Sequence, residues 1–250
     1  MVMRVLDLSY SSPEFDVGYE ILAQEIPAEF LEERSFLRNR LRVRDEGPRT
    51  GKERLLVQDG YTSHLLAALL DGDVVGVIYG HLISPISPEN RGVGVVSYLA
   101  VHAAQRRKGI GAFLVAALRE RIERDAIAMT GKPAVGMLYE IEEHGREEVK
   151  AYLRARGGWP LDVIYFQPAL RRNALPEQMQ LWLHPFDRPP MSAEQARSVS
   201  YPADVVVSMV TKLLTMEYVG QDLDGFDLRS MAYTEFLKSV GTRRRIGFAC

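Results

Sequence analysis

VVSYLAVHAAQRRKGIGAFLVAALRERIER, residues 95–124, changes periodicity partway along its length. Residues 95–101 are mostly apolar and open on two β-branched valines, which reads as a strand. A polar turn follows at residues 103–108. Leu114, Leu118 and Ile122 then recur every four residues with Val115 beside the first, while Arg119, Glu120, Glu123 and Arg124 take the opposite face, the pattern of an amphipathic helix. Gly109 and Gly111 stand where the strand hands over to that helix.

A strand, a basic turn and a helix N-terminus make an anion site. The first helical turn leaves backbone N–H groups without intrahelical partners, and the positive end of the helix dipole points the same way. Glycines let a phosphate approach the main chain, and Arg106, Arg107 and Lys108 add charge. Two well-known phosphate loops do not fit. Around Gly51-Lys52-Glu53 the glycine spacing of a P-loop is missing, as is the Ser or Thr after the lysine. Gly109 and Gly111 supply two of the three glycines of a dinucleotide fingerprint, and no acidic residue follows a second strand at the required distance.

The order L-x-V-x-x-x-x-R-x-x-G-x-G-x-x-L, filled by Leu99, Val101, Arg106, Gly109, Gly111 and Leu114, resembles the acyl-CoA signature of the GNAT superfamily of N-acetyltransferases. The resemblance implies a mixed, mostly antiparallel α/β sheet flanked by helices. It also implies that Arg106, Arg107, Lys108, Gly109, Ile110, Gly111 and Ala112 hold the pyrophosphate of coenzyme A. Leu99, Ala100 and Val101 would offer backbone groups to the pantetheine arm.

Composition narrows the rest. The 250 residues are 46% hydrophobic and 26% charged, which suits one domain with an appendage or two small domains. A net charge of −2 creates no positive field for nucleic acid, and no apolar run reaches membrane-spanning length. One cysteine, Cys250, and a start without a long apolar signal core point to the cytoplasm.

Outward from the quoted stretch, residues 3–8 read as a first strand and residues 19–44 as helical, with a break near Pro27. Residues 45–59 read as an exposed polar loop. Asp71-Gly72 between residues 64–70 and 74–82 is a hairpin signal, because such a turn needs positive φ. Residues 134–143 read as a strand on which Met137, Tyr139 and Ile141 alternate with Leu138, Glu140 and Glu142. Residues 146–156 form a short helix stopped by Gly157-Gly158, and residues 161–166 and 179–183 are closing strands. Residues 1–188 thus constitute the expected acetyltransferase domain. Residues 189–250, with helices from about 202 to 220 and 228 to 240, are a helical extension, read as a cover for the sheet in preference to a homodimer arm or a lid.

Amide formation from a thioester needs a base for the ammonium proton and an acid for the departing thiolate. Residues 95–99 carry no carboxylate, so Glu140 and Glu142 are the candidates for the base. Tyr152 is the candidate acid. A longer interval separates it from Gly158-Trp159 than in the superfamily's Y-x-x-x-G-F. The five histidines show no metal-ligand spacing and there is no G-x-S-x-G elbow, so neither a metal site nor a serine hydrolase is expected. The implied activity is acetyl transfer from acetyl-CoA to a small-molecule or peptide amine by direct attack in a ternary complex. The rivals are another acyl donor or an alcohol acceptor, a catalytically degenerate acyl-CoA sensor or structural protein, and a nucleotide-binding module.

Overall fold

The computed structural model describes residues 2–28, 30–58, 60–86, 88–144, 146–168, 176–218 and 231–250. Strand β1 is Met3–Asp7, followed by helices α1 (Glu14–Glu25), α2 (Arg34–Glu46) and α3 (Gly51–Gln58). Strands β2 (Tyr61–Leu70), β3 (Asp73–Ile86) and β4 (Arg91–Val101) lead into helix α4 (Ile110–Thr130). Then come β5 (Gly136–Glu142), α5 (Glu147–Arg154), β6 (Trp159–Pro160), β7 (Tyr165–Gln167) and β8 (Glu177–Pro185). The chain ends with α6 (Ala193–Arg197), β9 (Ser200–Pro202), α7 (Ala203–Tyr218), α8 (Met231–Val240) and β10 (Arg245–Gly247).

The main sheet has the order β1-β2-β3-β4-β5-β8-β6, with β7 also on β8. Its neighbours are antiparallel except β4 and β5, which are parallel because α4 carries the chain across between them. The hairpin expected at Asp71-Gly72 is present, with φ of +51° and +105°. One face of the sheet receives α4, whose Leu114, Leu118 and Ile122 are fully buried against Leu66, Ile78 and Met137. Burying each of these side chains is worth roughly 1.5–3 kcal/mol. Glycine brings the helix close: a Cβ on Gly80 would lie 2.7 Å from Leu118 Cδ2 and one on Gly94 2.9 Å from Ile122 Cγ2.

The other face is shared. α1 and α2 cover β2–β4 through Phe15, Leu22, Leu37 and Leu41. α7 and α8 cover the β4–β5–β8 side, with Val206, Met209, Val210, Leu213 and Phe236 packed on Val95, Leu138 and Leu183. The apolar stripe of α7 is therefore spent on the chain's own sheet. β9 and β10 pair with each other, a feature absent from the helical reading of residues 189–250. The end expected near Gly220 lies outside the described residues.

The expectation of an exposed loop at residues 45–59 is corrected: α2 runs to Glu46 and α3 occupies Gly51–Gln58. The reason is a capping box. The Glu53 amide donates to Thr50 Oγ1 at 3.2 Å, while the Glu53 carboxylate accepts the Arg49 and Thr50 amides at 2.5 and 3.1 Å. Thr50-x-x-Glu53 was readable as a helix start; the surrounding Gly, Pro and Arg outweighed it.

Candidate active site

β4 and β5 pair for three residues only, Gly94 with Met137, Val95 with Leu138 and Val96 with Tyr139. The pairing stops beside an irregularity in β4. Tyr98 lies opposite Tyr79 and Val96 opposite Gly80, so Ser97 is an extra residue with no counterpart on β3. Such a bulge bends its strand and sharpens the twist. Beyond it β4 stays with β3 as far as Val101, whereas β5 stays with β8 as far as Glu142. The two strands part, and the gap is a cavity of about 210 Å³.

Both faces of the sheet contribute to that gap. On the α4 side lie Leu99, Tyr139 and Tyr152, the last projecting from the final turn of α5. The hydroxyls of Tyr139 and Tyr152 are buried and have no hydrogen-bond partner among the described residues. Burial pushes both phenols above their ordinary range; Arg156, stacked 3.7 Å from the Tyr152 ring centroid, pulls Tyr152 the other way with less force. Both therefore stay protonated at neutral pH and keep a proton to donate.

On the opposite side stand the two glutamates. Glu140 accepts a hydrogen bond from the Tyr165 hydroxyl, and Glu142 Oε2 is 3.5 Å from Arg146 Nε. Both line the cavity, with Ile26, Pro27 and Phe30 from the α1–α2 connection walling its outer part.

The glycine turn follows the end of β4. His102 N–H donates to Val75 O at 3.0 Å, residues Ala103–Gln105 make one 3₁₀ turn, and α4 begins at Ile110. Gly109 is left-handed, with φ of +80°, and its helical successor turns consecutive N–H groups toward one concavity. No side chain caps α4. Arg106 braces the turn: its Nε donates to Val101 O at 3.2 Å and its guanidinium is ion-paired with Glu25. Lys108 Nζ donates to Gln105 Oε1 at 2.7 Å.

The chain's own packing does not require glycine at residue 111. A Cβ there would meet only Leu99 Cδ2 at 3.8 Å and Val101 Cγ2 at 4.0 Å, and one on Gly109 would meet nothing within 4 Å. Open space over uncapped N–H groups at one end, and orphaned hydroxyls in a narrow gap at the other, fit an elongated ligand with an anionic head and a polar-jointed arm.

All the residues singled out from sequence thus fall on two adjoining features. Leu99–Val101 and residues 106–112 form the rim and turn, while Glu140, Glu142 and Tyr152 flank the gap. Sequence reasoning missed Ser97, Tyr139, Tyr165 and Phe30. No local pattern marks a bulge or an unpaired hydroxyl, though the serine among apolar neighbours at residue 97 was a possible cue.

A mixed sheet opened between two parallel strands, with a glycine turn feeding a helix across it, defines an acyl-CoA N-acyltransferase fold. A GNAT-family acetyltransferase structure from Bacteroides thetaiotaomicron is similar over 86% of this chain and 98% of its own, at 18% identity and a TM-score of 0.55. Lesser likenesses include an IAA acetyltransferase from Bacillus cereus ATCC 14579 (15% identity, 74% and 100% covered, TM-score 0.42). Another is a GNAT-family acetyltransferase from Streptococcus pneumoniae (11%, 72% and 98%, TM-score 0.46). No curated protein matches the chain. The Acetyltransferase (GNAT) family model matches residues 23–157, and the chain belongs to that family. Among the described residues no helix is long and apolar enough to cross a membrane.

Proposed function

We propose that this chain transfers an acetyl group from acetyl-CoA to a primary amine by direct attack within a ternary complex. The observation that carries this reading is the position of a donor and an acceptor of protons on opposite faces of one gap, Tyr152 on the α4 side and Glu140 on the other. In this reading the N–H groups of Gly109, Ile110, Gly111 and Ala112, with Arg106, Arg107 and Lys108 around them, hold the diphosphate. The backbone of Leu99–Val101 holds the pantetheine arm. Beyond Val96 β4 has no register partner on β5, which supports this role for its edge.

The amine nitrogen bonds to the thioester carbonyl carbon, the C–S bond breaks, Glu140 takes the ammonium proton and Tyr152 returns one to the thiolate sulfur. Glu142 orients the amine from beside Glu140. An acid and a base placed apart, each with one task, avoid the need for a single group to titrate twice.

Calorimetric titration with acetyl-CoA, CoA, ATP and NAD tests the first half. Tight binding of the two CoA ligands alone is expected, and its absence would overturn the reading. Thiol release from acetyl-CoA with a panel of primary amines tests the second; binding without release for any amine would leave an acyl-CoA sensor in its place.

A further inference from the structure

Resting on the assignment of Glu140 as base, we propose that Tyr165 is its positioning residue: a phenol anchored in the core on β7 that aims the carboxylate into the gap and holds it ionised. Tyr165, on β7, lies beyond residues 23–157, the segment that matches the family model.

The geometry is specific. β7 and β5 are both partners of β8, Tyr165 opposite Met179 and Glu140 opposite Leu181. The Tyr165 ring is 1% exposed in the cluster formed by Leu138, Leu181 and the α7–α8 cover, so packing fixes its direction. Its hydroxyl donates to Oε1 of Glu140, and Glu140 lines the gap.

Glu140 shares the gap with the apolar side chains of Phe30, Met179 and Ile26, and apolar surroundings in general disfavour an ionised carboxylate. A hydrogen bond donated to the carboxylate favours the charged form and opposes that pressure. It also removes rotational freedom, so less ordering is left for the reaction to supply. Among the described residues, the other titratable or charged groups that line the gap are Tyr98 on β4, Tyr139 and Glu142 on β5, and Arg146 and Tyr152 at α5. Glu32 lies behind Tyr98, its amide donating to the Tyr98 hydroxyl at 3.2 Å. Among the described residues, β7 and β8 contribute Gln167 and Met179, and the α1–α2 connection contributes Ile26, Pro27 and Phe30. Arg146 is drawn toward Glu142, while the Tyr165 hydroxyl donates to Glu140.

The test is a carboxyl NMR titration of the full chain labelled with ¹³C at the glutamate side-chain carboxyl, the Glu140 signal being identified by its loss in Glu140→Gln. Tyr165→Phe keeps the ring and deletes the donor, so the fold should survive, which unfolding temperature verifies. The Glu140 midpoint is expected to rise by roughly one pH unit or more in Tyr165→Phe. An unchanged midpoint would overturn the proposal whatever the activity. In parallel, kcat/KM against pH is measured with acetyl-CoA and the fastest amine of the panel. The acid limb should move upward with Tyr165→Phe and the rate should collapse with Glu140→Gln. Full activity in Glu140→Gln would instead overturn the assignment of the base, and the two failures are thereby distinguished.

Discussion

The glycine turn before α4 and the gap between β4 and β5, the two ends of the proposed ligand path, are built in opposite ways. The turn is made by a few consecutive residues, with left-handed backbone at Arg107 and Gly109 and an uncapped helix start at Ile110. The gap brings together Ser97 from β4, Glu140 and Tyr139 from β5 and Tyr152 from α5, with Tyr165 from β7 bonded to Glu140 behind them. Local geometry can present an anion site without help from the rest of the fold. Acid–base chemistry needs groups held on different faces, and that requires the sheet.

The comparison breaks most sharply at the turn. Gly111→Glu adds a carboxylate where its Cβ has room, so folding should be nearly unaffected while CoA affinity falls by roughly a thousandfold or more through charge repulsion and occupied space. Calorimetry and thermal unfolding together check this. Affinity within a few-fold of the parent would separate the turn from the ligand path altogether. Gly109→Glu is a less clean variant, because left-handed φ of +80° penalises any side chain by about 1–2 kcal/mol.

The complementary change is made at the gap. Tyr152→Phe leaves the apolar contacts of the ring and removes a hydroxyl that has no partner in the described structure. CoA affinity should change by less than about threefold, while kcat for amine acetylation falls by roughly a hundredfold, the usual scale for a general acid. Equal losses in affinity and kcat would make the hydroxyl part of ligand binding. Together with Gly111→Glu, this variant asks whether binding and chemistry divide between the two features as their construction suggests.

What was legible in the sequence follows the same division. The strand, turn and helix of residues 95–124, the Asp71-Gly72 hairpin and the alternation of β5 were all readable, because each depends on neighbours in the chain. Glu140 and Glu142 could be placed on one face from period-two spacing alone. The parting of β4 from β5 could not, since it arises from one extra residue in β4 and from partners on β3 and β8 that draw the strands apart. Tyr165 was hidden for a similar reason. Its role depends on β7 and β5 both docking on β8, a relation between residues 25 positions apart. The capping box of α3 is the exception, a local signal that compositional reading of residues 45–59 overrode.

The smallest effect sits away from both features and shows whether the fold can be loosened without touching the site. Asp7 on β1, the buried His64 on β2 and Asp125 on α4 form a part-buried chain in which His64 Nδ1 meets Asp7 Oδ2 at 3.1 Å and Nε2 meets Asp125 Oδ2 at 2.8 Å. Burial disfavours the imidazolium, but the two carboxylates outweigh it and raise His64 above 6.5. Burial likewise works against the Asp7 carboxylate, and His64, Arg44 and Arg121 outweigh it, lowering Asp7 below 3.8. The signs are opposite. The contribution of His64 is complete below pH 6.5 and is lost as pH rises through its elevated folded value. That of Asp7 is complete above pH 3.8 and is lost as pH falls through its depressed one. Stability from this chain of contacts should therefore peak between those limits. Raising the pH from 6 to 9 should lower the unfolding temperature of the parent by roughly 2–4 °C more than that of His64→Gln, the scale of about 1 kcal/mol in a chain this size. CoA affinity should be the same in both proteins at either pH. A coincident loss of affinity would show that the β1–β2–α4 anchor bears on the turn at the start of the same helix, and the independence of turn, gap and scaffold would fail at that point.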